Sequence, residues 1–104
     1  MNTNIKSKQL KICTWNVCLG IFHKIHLVKT FIMQNEIDVL CIQEAEVKPD
    51  DNVKLIKING FSQEVKMTSI QHNKRTLIYI KDNVKYSIVS NGAKYILKIC
   101  AHDI

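Results

Sequence analysis

The sequence predicts one domain of mixed α/β (α+β) class, and three observations carry that prediction. Leu10 to Val17 and Ile37 to Gln43 are largely apolar runs of strand length. Between them Ile25, Val28, Phe31 and Ile32 recur at the spacing of one helix face. From Val53 onward the texture changes to short alternating runs separated by turn dipeptides, as antiparallel strands require.

The first half reads as strand, helix, strand. A helical crossover of this kind is right-handed and makes its two strands parallel. Leu10–Val17 and Ile37–Gln43 are therefore expected side by side, bridged by a helix near Ile25–Gln34. The loop from Cys18 to Lys24 contains Gly20, which is free to take a positive φ. Ile37 to Gln43 is nearly continuous in apolar residues, as in a strand covered on both faces. Lys48-Pro49-Asp50-Asp51-Asn52 then breaks the pattern as a surface loop.

In the second half, Leu55–Ile58 is expected to pair as a hairpin with Phe61–Val65 across Asn59-Gly60. Thr76–Ile80 alternates next and ends at the Asp82-Asn83 turn. Tyr86–Val89 and Tyr95–Cys100 follow, divided by Ser90-Asn91-Gly92. A parallel pair followed by antiparallel strands gives a mixed sheet.

A chain of 104 residues, 46% hydrophobic, suits a single globular unit with a modest core. Residues 1–9 are polar and basic and read as a disordered leading segment, with the domain over 10–104. That segment lacks the apolar centre of a signal peptide, and no run nears the roughly 20 apolar residues of a membrane helix. The expectation is an intracellular protein, nuclear or cytoplasmic, not secreted and without a membrane partner. Cys13, Cys18, Cys41 and Cys100 form no metal-ligand spacing and read as buried, reduced thiols.

The net charge of +6 is unevenly placed. Six lysines balance six acids through Asn52, whereas nine Lys and Arg face three acids from Val53 onward. A basic half fits a polyanionic partner such as nucleic acid, and fits equally a solvated lysine-rich surface.

Parallel strands bring their carboxyl ends to one edge of the sheet, where α/β proteins bind ligands. Asn16 and Glu44 stand at those ends. A carboxylate just beyond an apolar strand suits a hard cation such as Mg²⁺, which takes one or two protein carboxylates and leaves room for water and phosphate. The plainer reading of Glu44 is a solvated strand terminus. The Asn16 amide can hold Glu44 or a phosphate oxygen, or simply close the strand with a turn. Gln43 can orient a neighbour or end the strand. His23 and His26 lack a completing ligand. His72, beside Asn73, Lys74 and Arg75, fits phosphate contact or solvation.

Lys-Ile-Cys-Thr-Trp-Asn-Val at 11–17 and Ile-Asp-Val-Leu-Cys-Ile-Gln-Glu at 37–44, joined by one helix, resemble the first signature strands of the endonuclease/exonuclease/phosphatase superfamily. Leu55–Phe61, Lys74–Lys81 and Val84-Lys85-Tyr86 narrow the resemblance to the apurinic-type endonuclease domain of non-LTR retrotransposons. It implies the N-terminal part of a four-layered α/β sandwich, two mixed sheets flanked by helices, with residues 10–104 a partial domain truncated at its C-terminus. It further implies Mg²⁺ (or Mn²⁺) as cofactor, Glu44 and Asn16 as catalytic and metal-site residues, and DNA as partner, with Lys74 and Arg75 in contact. A downstream reverse transcriptase domain in a longer product is also implied. The relatives carry Asp-x-Asn and Ser-Asp-His motifs further on, and no counterpart follows Tyr86 here; His102-Asp103 reverses the order. The leading expectation is part of a DNA endonuclease that hydrolyses phosphodiester bonds in its full-length form. The alternatives are an inactive remnant or small basic nucleic-acid-binding module, and a phosphatase-type member acting on a phospholipid or inositol phosphate.

Overall fold

The computed structural model describes residues 9–18, 20–48, 50–67, 75–91 and 94–100. Strand β1 (Ile12–Asn16), helix α1 (Ile25–Asn35) and strand β2 (Val39–Gln43) form the expected crossover unit. β1 and β2 are parallel neighbours, in register from Ile12 opposite Val39 to Asn16 opposite Gln43.

The helix face anticipated from spacing is the face that packs. Val28 and Ile32 are buried, Ile25 and Phe31 half-buried. The Phe31 ring meets Trp15 of β1 at a centroid distance of 5.3 Å and a tilt of 59°. The helix ends because Glu36 turns left-handed, at φ 51 and ψ 48. The amides of Glu36 and Ile37 then both point back to the Ile32 carbonyl. The start of the parallel pair is clamped by buried Asp38. Its carboxylate accepts the Lys11 amide at 2.9 Å, while the Lys11 carbonyl accepts the amides of Asp38 and Val39.

Leu55–Ile58 corrects the sequence expectation: it is not a strand. Val53–Ile56 forms a single 3₁₀ turn whose first amides are capped by Asn52, with Oδ1 accepting from Lys54 N–H at 3.1 Å. Its backbone finds partners in side chains rather than in a ladder. The Tyr79 hydroxyl donates to the Ile56 carbonyl, and Gln63 Nε2 donates to the Val53 carbonyl at 3.2 Å. The turn thereby lays Ile56 and Ile58 over the core.

Strand β3 (Phe61–Met67) pairs instead with β4 (Arg75–Lys81), antiparallel, with Phe61 opposite Lys81. β4 also pairs antiparallel with β2, so the four-stranded mixed sheet runs β1-β2-β4-β3. Strands β5 (Tyr86–Asn91) and β6 (Lys94–Ile99) form the last antiparallel pair. β5 continues through Ser90 and Asn91, which were expected in a turn; Gly92 lies outside the described residues.

Each face of the sheet has its own core. Leu40, Ile42, Leu77 and Tyr79 pack with Val28 and Ile32 of α1. Val39, Ile78 and Ile80 pack on the other side with Val84 and with Tyr86, Leu97 and Ile99 of the hairpin. β2 is thus covered on both sides, as its unbroken apolar run required. Tyr86 Oη donates to Glu64 Oε2 at 2.8 Å and fastens hairpin to sheet. The architecture is mixed α/β, with helix, mixed sheet and hairpin in layers.

All four cysteines are free. Cys13, Cys41 and Cys100 are half-buried, but Cys18 is exposed, which corrects its reading as a buried thiol. Burial raises the Cys41 thiol pKa, and neighbouring Cys13 adds to the effect. Among the described residues no helix is long and apolar enough to cross a membrane. Of the expected leading segment, residues 1–8 lie outside the described chain.

Candidate active-site edge

Asn16 and Gln43 close the two parallel strands opposite one another, and the Val17 amide still reaches the Gln43 carbonyl at 3.3 Å. Glu44 follows directly and is half-buried. The topology thus gathers Asn16, Gln43 and Glu44 at one carboxyl edge. Arg75 opens β4, which runs antiparallel to β2 with Leu77 opposite Ile42, so its backbone stands at this edge too. Lys74 lies outside the described residues.

The backbone here is unusual. Cys18 (φ 42), Gly20 (φ 96), Glu44 (φ 54) and Glu46 (φ 55) all lie in the two loops leaving this edge, while Glu36 and Gly60 are the other positive-φ residues described. A side-chain-bearing residue in this region costs of order 1–3 kcal/mol, and such outliers gather at functional sites. The loops are bound together: the Ile21 amide donates to the Ala45 carbonyl at 3.0 Å. Gly20 is buried at the join, where an added Cβ would lie 3.2 Å from Glu46 Oε2 and 3.4 Å from the Ala45 carbonyl oxygen.

Asn16 adopts the strand-closing turn. Its Oδ1 accepts the Cys18 amide at 3.0 Å, the turn that closes the strand. Its side chain stays exposed at the edge. Lys24 reaches back from the start of α1, and its ammonium donates to the carbonyls of Val17 and Cys18, the latter at 2.9 Å.

As a metal centre the described site is sparse. No group of three or more His, Cys, Asp or Glu is placed to hold an ion among the described residues. A Mg²⁺ ion needs only one or two protein carboxylates, and the half-buried Glu44 is the acid that directly follows β2 at this edge. His23 and His26 are exposed at the helix start. His72 and His102-Asp103 lie outside the described residues. Asp50-Asp51-Asn52 spells Asp-x-Asn, but ahead of the strands that should precede that motif. Asp51 and Asn52 shape their own loop, accepting the amides of Lys48 at 2.8 Å and Lys54 at 3.1 Å.

A cleft of about 270 Å³ opens beside the edge, among Gly20, Phe22, His23, Glu46, Lys48 and Asp51. A larger one, about 520 Å³, lies at the opposite end of the sheet, among Lys11, Ile37, Asp38, Phe61 and Lys81. Volume favours the second. The first is lined by the left-handed Gly20 and Glu46 of the loops that leave the carboxyl edge, while Asn16, Gln43 and Glu44 line neither cleft.

No protein-family model and no curated protein matches the sequence. Solved structures do. The chain resembles an AP endonuclease from Archaeoglobus fulgidus, with TM-score 0.61 and 22% identity over 89% of this chain and 38% of that one. It resembles the AP endonuclease LMAP from Leishmania major with TM-score 0.62 and 23% identity, covering 76% and 27% respectively. For the APE2 catalytic domain of Xenopus laevis the values are 0.57 and 19%, covering 74% and 25%.

The fold is that of part of an AP endonuclease. At these identities the likeness is one of fold, and the chain spans between 25% and 38% of these proteins.

Sequence patterns missed Lys24 and the left-handed Cys18, Glu44 and Glu46. Asn16 two positions before Cys18 was the available signal for the first turn. Lys24 carried none, because its partners are backbone carbonyls.

Proposed function

We propose that the chain is part of a Mg²⁺- or Mn²⁺-dependent phosphodiesterase domain, a DNA endonuclease of the retrotransposon type. The observation that carries this reading is the shared edge: Asn16, Gln43 and Glu44, matched by motif, stand together at the carboxyl ends of parallel strands in an AP-endonuclease fold. Glu44 would hold the metal. The ion, when bound, would neutralise charge developing on a phosphodiester during in-line hydrolysis. Asn16 supplies a fixed amide to the phosphate or to Glu44. The retrotransposon assignment is supported by the Lys74–Lys81 and Lys85-Tyr86 segments, and a reverse transcriptase domain would accompany it in a longer product. The basic second half supports DNA as substrate.

The second reading is binding without cleavage, favoured by the basic second half. The family's later acid and histidine have no counterpart after Tyr86, and acid–base assistance alone is typically worth about 10²–10⁴ in rate. This chain by itself is therefore expected not to nick supercoiled plasmid in Mg²⁺. It is expected to bind duplex DNA with an affinity that falls steeply with salt and survives Glu44→Ala. The deciding measurement is Mn²⁺ line broadening in the NMR spectrum. Broadening centred on Asn16, Gln43 and Glu44 and abolished by Glu44→Ala supports the phosphodiesterase site; broadening elsewhere, or unaffected by the substitution, removes it.

A further inference from the structure

Lys24 occupies a place that electrostatics disfavours. It is the N-cap of α1, makes no side-chain capping bond, and is followed by no acidic residue in the first turn. Helix N-termini present unsatisfied N–H groups and a positive partial charge, and prefer Ser, Thr, Asp or Asn. Lys24 leaves that end uncapped and turns its ammonium onto the carbonyls of Val17 and Cys18.

The Val17 carbonyl and the Cys18 amide belong to the same peptide group. Its oxygen accepts Lys24, and its N–H donates to Asn16 Oδ1 at 3.0 Å. The group is planar and rigid, so fixing its oxygen fixes the direction of its N–H. Hydrogen bonds at the two ends of one amide also polarise and strengthen each other. A backbone N–H can only donate, so the Asn16 atom facing it must be oxygen, not nitrogen. The Asn16 NH₂ group is thereby turned away from the loop. The left-handed Cys18, disfavoured on its own, sits between the two carbonyls that Lys24 gathers.

We propose that Lys24 is a positioning residue, which acts through the Val17–Cys18 peptide to lock the Asn16 amide with its oxygen inward and its NH₂ outward. Asn16 then meets a phosphate or carboxylate oxygen as a hydrogen-bond donor. This consequence rests on the phosphodiesterase reading of the edge; the lock itself does not.

The test uses the ¹⁵N-labelled chain with neither metal nor DNA. Lys24→Met should speed hydrogen exchange of the Cys18 amide by about tenfold or more, the scale of one lost hydrogen bond. It should also shift the Asn16 side-chain NH₂ signals. The Ile21 amide, bonded to Ala45, should stay protected and report that the loop is intact. Lys24→Arg, which keeps charged donors, should restore both signatures. Unchanged Cys18 exchange and Asn16 signals in Lys24→Met would overturn the proposal. Should that variant unfold, the unaltered chain still decides: a hydrogen-bonded Lys24 ammonium gives a slowly exchanging ¹⁵N signal distinct from solvated lysines, and its absence rejects the lock. Failure of Mn²⁺ to find Glu44 while the lock is intact would discard the phosphodiesterase reading alone.

Discussion

Tyr79 shows how one hydroxyl can decide a segment's structure. It is fully buried, and donates to the Ile56 carbonyl of the 3₁₀ turn. Tyr79→Phe would leave that carbonyl without its partner, at an expected cost of about 1–3 kcal/mol in chemical denaturation. Burial also pushes the Tyr79 phenol well above its usual range, and burial followed by the Glu64 contact raises Tyr86. Both phenols are neutral in either state below about pH 10. Above it the unfolded chain loses protons that the folded chain retains, so stability should fall as pH rises past 10. The urea midpoint measured from pH 9 to 11 should drop, and less so in Tyr79→Phe. The two left-handed glycines separate backbone from packing effects. An added Cβ at Gly60 meets nothing within 4 Å, so Gly60→Ala should cost about 1 kcal/mol from φ alone. Gly20→Ala carries the same penalty plus contact with Glu46 and Ala45, and should cost more in the same assay.

At the scale of elements, helix α1 has no side-chain bond at its N-cap and ends on a left-handed residue. Helix α1 stops on Glu36, a position where glycine has no steric penalty. The ion pair Glu36 makes with Lys11 is long, at 4.0 Å, and exposed, so little is lost with it. Glu36→Gly should therefore stabilise the chain by about 0.5–1 kcal/mol, seen as a higher denaturation midpoint. No gain, or a loss, would show that the unfolded-state entropy of glycine outweighs the relieved backbone. The helix fixes the edge only indirectly: Trp15 on Phe31 holds β1, and β1 carries Asn16 to its place opposite Gln43.

Across the whole molecule, apolar surface remains open. Ile12 on β1 is 57% exposed, and Val89 and Ile96 stand opposite each other on the hairpin at 39% and 47%. In the hairpin register Tyr86, Leu97 and Ile99 contribute to the inner cluster, and Val89 and Ile96 point the other way. Exposed apolar clusters of this kind promote association. The chain is expected to self-associate as its concentration rises, and Ile96→Lys with Ile12→Lys should reduce this in sedimentation velocity. A sharp thermal transition from a monomer that persists at high concentration would contradict the expectation.

The crossover unit was legible in the sequence because local pattern and handedness both constrain it: Val28 and Ile32 must face a core, and β2 must be covered on both faces. The edge followed, since parallel strands leave Asn16 and Glu44 no other place to end. Tertiary structure decided what alternation could not. Leu55–Ile58 has the apolar texture of a strand, yet the segment begins in the 3₁₀ turn Val53–Ile56, where Gln63 bonds the Val53 carbonyl and the distant Tyr79 bonds that of Ile56. Lys24 likewise has no signature, because it recognises carbonyls that every residue possesses. Periodicity records which side chains seek burial; which groups satisfy the backbone is settled only when distant segments meet.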